Sequence, residues 1–177
     1  MSLDRTLNYT LLSMFFIALA FGVRYYTGSA GESFDCRLSG RVSKVIDGDS
    51  IIVRDNNRIA HEIRLSGIDA PEFNQPYGRT SQKLLRQRIN GKAVCVDWYK
   101  EDRYQRLVGV VRLEDADINL EQVKTGRAWF YKRYSNEQSA ENAYLYEEAE
   151  AQAMQRGVGL WAETVPVAPW QWREGER

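Results

Sequence analysis

Histidine and cysteine are the residue types that this sequence has least of, with one histidine and two cysteines among 177 residues. So few nitrogen and sulfur ligands exclude a Cys/His zinc cluster. A metal ion would need oxygen ligands, as hard cations do. A surplus charge of one sign is also missing, because 24 Lys and Arg residues balance 24 Asp and Glu residues. The overall charge therefore gives no indication of nucleic-acid binding, and an anionic partner would have to be bound at a local site.

Low-complexity segments and internal repeats are absent as well, and the chain has only 4 Pro and 13 Gly. With 44% hydrophobic and 27% charged residues, the composition is that of an ordinary globular protein. Its length suits one domain with about thirty residues to spare. We therefore divide the chain into an N-terminal segment (1–30), one folded domain (36–161) and a C-terminal tail (162–177).

One long apolar run does occur, close to the N-terminus. Residues 6–23 carry no charge, and Leu11–Val23 is strongly apolar. This length is at the lower edge of what spans a bilayer, and the apolar core equally fits a signal peptide. The Arg-Tyr-Tyr sequence at 24–26 favours a membrane anchor, whereas Gly28 and Ala30 offer a cleavage site. Both interpretations predict an extracytoplasmic domain, either periplasmic, secreted or tethered to a membrane; a buried core helix is the third possibility.

The two cysteines lie at the start and in the middle of the folded part, at Cys36 and Cys95. In an oxidising compartment, two otherwise lone thiols often form a disulfide. We therefore predict a Cys36–Cys95 bond. The alternative is a pair of buried, unpaired cysteines that act as small hydrophobic residues.

Short runs of alternating apolar residues predict five strands. These are residues 41–46, 50–54, 60–65, 93–98 and 107–113. Helices are predicted over 80–89, from Asn119 to Gly126 with Asn119 and Gln122 as a capping box, and over about 137–156 with an inner stripe of Leu145, Ala149 and Ala153. The order favours a small five-stranded antiparallel β-barrel of the OB type with about three α-helices, an α+β fold preceded by an N-terminal hydrophobic helix.

Charged residues gather at three places where predicted strands begin or end. The three fragments are DGDS at 47–50, RLSGIDAPE at 64–72 and DRYQR at 102–106. Each fragment alone is also explained by ordinary turn or loop chemistry. Pro71 disfavours a helical conformation at the residue before it. Asp69 and Glu72 are therefore not neighbours on the exposed face of a helix.

In this order and spacing, the three fragments resemble the staphylococcal nuclease (thermonuclease) family. The resemblance continues through Gly126-Arg127-Ala128 and the segment from Arg156 to Trp161, so it covers residues 36–161. It implies an OB-like barrel and a calcium-dependent phosphodiesterase that acts on DNA and RNA. Two departures are Ser50, where Thr is commoner, and Gln105, where many relatives have Gly.

The resemblance also implies roles for the matching residues. Asp49 and Asp69 match the carboxylates that bind the calcium ion, with the backbone carbonyl of Ala70 as a further ligand. Glu72 matches the carboxylate that activates the attacking water.

Basic and aromatic residues match the substrate contacts of the same family. Arg64 and Arg106 match the two arginines that grip the scissile phosphate. Arg103 and Tyr104 fall where the family contacts the terminal phosphate, and Tyr134 matches a tyrosine of the substrate pocket.

The chemistry of phosphodiester hydrolysis explains these residue types. In-line attack adds negative charge to the phosphate oxygens, so positive charge preorganised around phosphorus lowers the barrier. A divalent cation on oxygen ligands supplies part of that charge, and bidentate arginines supply the rest. Water also needs a carboxylate to take its proton at neutral pH. The resemblance, which this chemistry supports, implies a nuclease that depends on Ca²⁺ and has DNA and/or RNA as its substrate. We expect it to be a monomer.

Two other functions fit the same sequence. A non-catalytic OB-like module would bind single-stranded nucleic acid or protein, since this fold hosts both kinds of function. Such a module has no need for Glu72 beside two arginines and two aspartates. A membrane-tethered, calcium-stabilised domain without a substrate is the other possibility.

Aromatic residues in the C-terminal third also have two interpretations. Trp129, Phe130, Tyr131 and Tyr134 fit a surface on which nucleobases stack, but the favoured interpretation places Trp129 and Phe130 in the core. Trp170-Gln171-Trp172 follows Pro169, which indicates a tail that packs back on the barrel.

Overall fold

A computed structural model of the chain describes residues 35–175. The predicted N-terminal helix, with the apolar run Leu11–Val23, lies outside these residues. Within the described part, no helix is long and apolar enough to cross a membrane.

Short strands and helices alternate along the described chain. The strands are β1 (Leu38–Val45), β2 (Ser50–Asp55), β3 (Ala60–Leu65), β4 (Ile68–Asp69), β5 (Ala93–Glu101), β6 (Leu107–Leu113), β7 (Ala116–Asp117) and β8 (Trp129–Phe130). The α-helices are α1 (Gly78–Ile89), α2 (Ile118–Lys124), α3 (Ala140–Arg156) and α4 (Pro169–Glu174). Short 3₁₀ helices cover Lys132–Glu137 and Gly159–Ala162.

Five of the strands described between residues 35 and 175 close into a barrel in the order β3-β2-β1-β5-β6. Each neighbouring pair in that order is antiparallel, but β3 and β6, which close the barrel, run parallel with Ile63 beside Leu107 and Leu65 beside Gly109. The barrel is therefore mixed, and the expected all-antiparallel barrel is wrong in this respect. The reason is geometric: four successive reversals leave the first and fifth strands pointing the same way.

The barrel interior is filled by the alternate residues of its strands. Ile51, Val53, Ile63, Leu65 and Val96 are all fully buried. A strand directs successive side chains to opposite faces, so the same pattern sends intervening polar residues such as Arg64 to the other side.

Helix α3 packs against α2 and β8 with a different stripe from the predicted one. Leu145 is 44% exposed, whereas Tyr146, Ala149 and Ala153 are buried. The Tyr146 ring is inside, and its hydroxyl donates to both carboxylate oxygens of Asp117 at 3.2 Å. With this polar partner for its hydroxyl, Tyr146 is buried, and the inward stripe of α3 runs through Tyr146 instead of Leu145.

Helix α2 begins differently from the predicted capping box. Asp117 is the N-cap, and its carboxylate accepts from the Leu120 backbone N–H at 2.9 Å. Asn119 and Gln122 are fully buried instead. The Asn119 amide donates to the carbonyls of Ser66 and Gly109, at 3.0 and 3.1 Å. The Gln122 amide donates to the carbonyl of Gly48 at 2.8 Å, so α2 ties together the loops that follow β1 and β3.

The predicted Cys36–Cys95 disulfide is present, with 5.5 Å between the two Cα atoms. It joins the segment before β1 to β5, where Ser39 already pairs with Cys95. The bond closes a loop across 59 positions of sequence.

Candidate active site

The acidic turn between β1 and β2 is held against α1 and the loop that precedes it. The Asp47 carboxylate accepts from the Asp49 backbone N–H at 2.9 Å. A Cβ atom at residue 48 would lie 2.1 Å from the Ser81 Oγ and 2.5 Å from the Ala70 Cβ, so only glycine fits there. This close approach brings the turn beside residue 70.

Asp49 and Asp69 lie on either side of one guanidinium group. The Arg64 Nε is 3.3 Å from the Asp49 Oδ1, and the Arg64 Nη2 is 3.3 Å from the Asp69 Oδ1. The second oxygen of Asp49 accepts from the Ala70 backbone N–H at 2.6 Å. Both carboxylates are buried. The structure thus brings together four of the residues singled out by the sequence, from the ends of three different strand and loop segments.

The electrostatics of this acidic cluster are those of a site with excess negative charge. Burial, reinforced by the charge on Asp49, raises the pKa of Asp47 to about 7. Burial also raises the pKa of Asp69, and Asp49 adds to that shift while Arg64 and Arg173 oppose it. Asp47, which the sequence identified only as a turn residue, is therefore a third carboxylate of the cluster.

Glu72 is held by the loop that leads into α1. Its backbone N–H donates to the Gln75 Oε1 at 3.0 Å, and its carbonyl accepts from the Gln75 N–H at 2.9 Å. A Cβ atom at residue 78 would lie 1.8 Å from the Glu72 carbonyl oxygen, so this loop also needs a glycine. The Glu72 side chain remains 36% exposed, which leaves its carboxylate accessible to water.

Arg173 joins Glu72 to the acidic cluster. From α4 near the C-terminus, its Nη1 donates to the Glu72 Oε1 at 2.7 Å and its Nη2 to the Asp69 Oδ2 at 2.8 Å. The partner of Glu72 in this structure is thus Arg173, rather than either of the arginines that the sequence singled out. The signal for Arg173 in the sequence was only its place after an aromatic tail segment.

Arg106 directly precedes β6, the strand that pairs with the strand of Arg64, but its side chain binds a different carboxylate. Val108 pairs with Arg64 across the parallel β3–β6 ladder, and Arg106 is two residues ahead of Val108. Its Nε and Nη2 bind the Asp102 Oδ2 at 2.8 and 2.7 Å. Burial opposes ionisation of Asp102, but the hydrogen bonds from Arg106 and the loop N–H groups outweigh it and lower the pKa of that carboxyl.

The loop before Arg106 makes its turn without the glycine that the family resemblance leads one to expect. Gln105 adopts a left-handed backbone with φ 65°. Such a conformation costs a non-glycine residue about 1–2 kcal/mol. The Asp102 carboxylate compensates, because it accepts from the backbone N–H groups of Tyr104 and Arg106 at 2.9 and 3.0 Å.

Replacing Gln105 with glycine should therefore stabilise the protein by about 0.5–1 kcal/mol, since glycine removes this strain at some cost in chain entropy. Urea denaturation measures the change. Gln105→Ala is the control, because alanine keeps a Cβ and hence the strain. A glycine variant no more stable than the alanine variant would show that Gln105 is not strained.

The predicted substrate contacts Tyr104 and Tyr134 are exposed aromatic rings with cations over them. Tyr104 is 63% exposed, with the guanidinium carbons of Arg103 and Arg106 at 4.8 and 5.5 Å from the ring centroid. The Lys100 Nζ lies 5.3 Å from the centroid of the Tyr134 ring. Each residue is therefore exposed and has a cation over its ring, an arrangement that suits a nucleic-acid contact.

The remaining aromatic residues of the C-terminal third pack within the protein. Phe130 is buried, and the Trp129 ring centroid lies 4.3 Å from that of Trp161 and 5.6 Å from that of Trp170. Tyr131 stacks on Trp170 with 5.3 Å between centroids. Trp129 and Phe130 thus have a structural role, and α4 is attached to the barrel through Trp170.

The donor set fits a hard cation. In residues 35–175, no group of three or more His, Cys, Asp or Glu side chains is arranged to hold a metal ion by itself. The ligands expected from the sequence are two carboxylates, of Asp49 and Asp69, and the carbonyl of Ala70. These are oxygen donors of the kind that Ca²⁺ prefers, and a positive group, the Arg173 guanidinium, already binds Asp69.

Comparison with known proteins identifies the family. A family model described as Staphylococcal nuclease homologue matches residues 62–163, more than half of the chain. The chain belongs to the staphylococcal nuclease family. It is therefore an enzyme, a hydrolase of the nuclease class.

Several relatives of this staphylococcal nuclease family member carry nuclease names. The chain is 39% identical over 137 residues to an "Uncharacterized endonuclease" of Haemophilus influenzae, which covers 77% of this chain and 74% of the relative. It is equally identical over 137 residues to an "Uncharacterized endonuclease" of Escherichia coli O157:H7, 77% of this chain and 85% of that protein. "Staphylococcal-like nuclease CAN1" of Arabidopsis thaliana is 41% identical over 115 residues, 65% of this chain but 34% of the plant protein.

The match to the staphylococcal nuclease family model leaves two parts of the acidic site outside it. Residues 62–163 include Arg64, Asp69 and Glu72, whereas Asp49 precedes the matched range and Arg173 follows it. Arg173 therefore lies C-terminal to the range that the family model matches.

Proposed function

We propose that this family member is an extracytoplasmic, calcium-dependent nuclease that hydrolyses phosphodiester bonds of DNA and/or RNA at the Asp49–Asp69 cluster. The observation that supports the proposal most directly is the placement of both buried carboxylates against one guanidinium, that of Arg64. The Cys36–Cys95 disulfide supports the location, because stable disulfides form mainly in oxidising compartments.

Asp49, Asp69 and the carbonyl of Ala70 would hold the calcium ion. When bound, the ion supplies positive charge beside the phosphate group that is attacked. Asp49 is oriented for this by the Ala70 N–H, which leaves its other oxygen directed toward Arg64. The glycine at position 48 permits the close packing that sets the two carboxylates side by side.

Arg64 and Arg106 provide the remaining positive charge. Arg64 lies on β3 and Arg106 directly precedes β6, which pairs with β3. A guanidinium presents paired N–H groups that match two phosphate oxygens. Arg64 is already oriented by its bond to the Ile68 carbonyl at 2.8 Å. Arg106 binds Asp102 in this structure. A phosphate group would either displace the Asp102 carboxylate from Arg106 or bind the guanidinium together with it.

Glu72 would act as the general base that takes a proton from the attacking water. Its side chain is partly exposed to solvent. One guanidinium group, that of Arg173, binds both the Glu72 and the Asp69 carboxylates. Arg103, Tyr104 and Tyr134 would contact the flanking nucleotides. The tyrosine rings would stack on bases, and the positive charges beside them would bind phosphates. Relatives named endonucleases favour internal cleavage, and we expect a monomer to suffice.

A cleavage assay with and without calcium tests this function. We expect the protein to cleave labelled single-stranded DNA or RNA in calcium and to lose that activity when the ion is chelated. Asp49→Asn should abolish the calcium response, while Asp115→Asn, a change of equal charge in a loop between β6 and β7, should not. Activity that survives chelation would remove calcium from the mechanism. Binding without cleavage under every condition would instead favour the non-catalytic module.

A further inference from the structure

We propose that Arg173 competes with the metal ion for the site. Its guanidinium occupies the Asp69 and Glu72 carboxylates until calcium displaces it. The inference rests on the proposed function and deepens it, because it assigns to the C-terminal helix the control of metal binding and of the general base.

The geometry places one positive group on both carboxylates. Arg173 donates to the Asp69 Oδ2 at 2.8 Å and to the Asp69 Oδ1 at 3.3 Å, and it donates to the Glu72 Oε1 at 2.7 Å. Three charge-assisted hydrogen bonds therefore satisfy oxygens that the proposed function assigns to the ion and to the attacking water.

The backbone of Arg173 is fixed at the site. Ala168 and Pro169 at the start of α4 are buried, and the Gln75 amide donates to the Val167 carbonyl at 2.6 Å. Trp170 stacks on Tyr131, one turn before Arg173. Since Gln75 also holds the loop of Glu72, the same side chain links α4 to the proposed base.

The side chain of Arg173 can leave while its helix stays. It is 43% exposed, and an arginine has several rotatable bonds with which to move its charged end into solvent. A tethered group of this kind acts at a high effective concentration, so it competes well with a free ion.

Competition follows from the charges. A divalent cation and the Arg173 guanidinium cannot both occupy the Asp69 Oδ2, which Arg173 binds at 2.8 Å, in a poorly solvated site without strong repulsion. Each therefore weakens binding of the other by the same factor. Displacement also frees Glu72, because the Arg173 Nη1 no longer occupies its Oε1 and water can reach that oxygen. Metal binding and activation of the base would thus occur together.

Calcium affinity is the quantity that tests this inference, measured by isothermal titration calorimetry without substrate. Arg173→Gln should bind calcium roughly five- to tenfold more tightly than the wild type, as expected for the loss of competing, partly exposed charge-assisted bonds. Arg173→Lys keeps the charge but loses the paired N–H donors of the guanidinium, and its affinity for calcium should be intermediate. Arg86→Gln, an equal change of charge on the exposed face of α1, should leave the affinity within about twofold.

The outcomes separate this inference from the proposed function. Wild type and Arg173→Gln that bind calcium equally well would overturn the competition and leave the calcium site intact. Absence of calcium binding in both proteins would overturn the proposed function. A calcium-induced rise in melting temperature that is larger for Arg173→Gln than for Arg86→Gln is a second expected result, because ligand stabilisation grows with affinity.

Discussion

Glu72→Gln should lower turnover by about 10²–10⁴-fold while it leaves nucleic-acid binding nearly unchanged. Glutamine has the same shape, and its amide oxygen can still accept from Arg173, as the Glu72 Oε1 does at 2.7 Å. It cannot accept a proton from water at neutral pH. The loss should therefore fall on kcat, whereas KM should change little.

Two measurements make this expectation specific. Cleavage of labelled single-stranded DNA in calcium gives kcat and KM, and fluorescence anisotropy in chelator gives binding without cleavage. Glu148→Gln, the same change on the exposed face of α3, is the matched control and should keep wild-type turnover. If Glu72→Gln retained turnover within about threefold, another group would have to be the base.

The residues close to one another in sequence were the ones whose placement the sequence could predict. Arg64, Asp69 and Ala70 lie within one short segment, and the structure holds this segment against the turn of Asp49. Turn chemistry and the proline that follows Ala70 set the direction of such a segment locally. Their roles in metal and phosphate binding stay predictions until they are measured.

Arg173 shows why part of the site was beyond the reach of sequence reasoning. It is separated from Glu72 by 101 positions and from Asp69 by 104, and α4 has no pattern that points to either carboxylate. Its position depends on Trp170 packing on Tyr131 and Trp129, which is a property of the folded surface. An arginine in an aromatic tail segment otherwise reads as a solvated charge.

The errors in the fold prediction have physical causes too. Asn119 and Gln122 matched a capping box, but their amides donate hydrogen bonds to buried backbone carbonyls. Only the closed barrel places those carbonyls beside the helix. Polar residues at the start of a helix look the same in sequence whether they cap it or hold a distant loop. The parallel closure of β3 on β6 likewise follows from barrel closure, which strand patterns do not reveal.

Removal of the disulfide should lower stability by about 4 kcal/mol, because the Cys36–Cys95 bond closes a loop across 59 positions. The bond restricts the unfolded chain more than it changes the barrel, since β1 and β5 already pair at Cys95. The Cys36→Ser/Cys95→Ser double variant should therefore fold but melt roughly 10–15 °C lower.

Thermal and urea unfolding of the oxidised wild type, the reduced wild type and the double variant measure this effect. Reduction should bring the wild type to the stability of the double variant and should not alter the variant itself. Since the cross-link acts on the unfolded chain, the variant should keep the native circular dichroism spectrum below its transition. A double variant within about 1 kcal/mol of the oxidised wild type would mean that strain or residual structure in the unfolded chain cancels the gain from the closed loop.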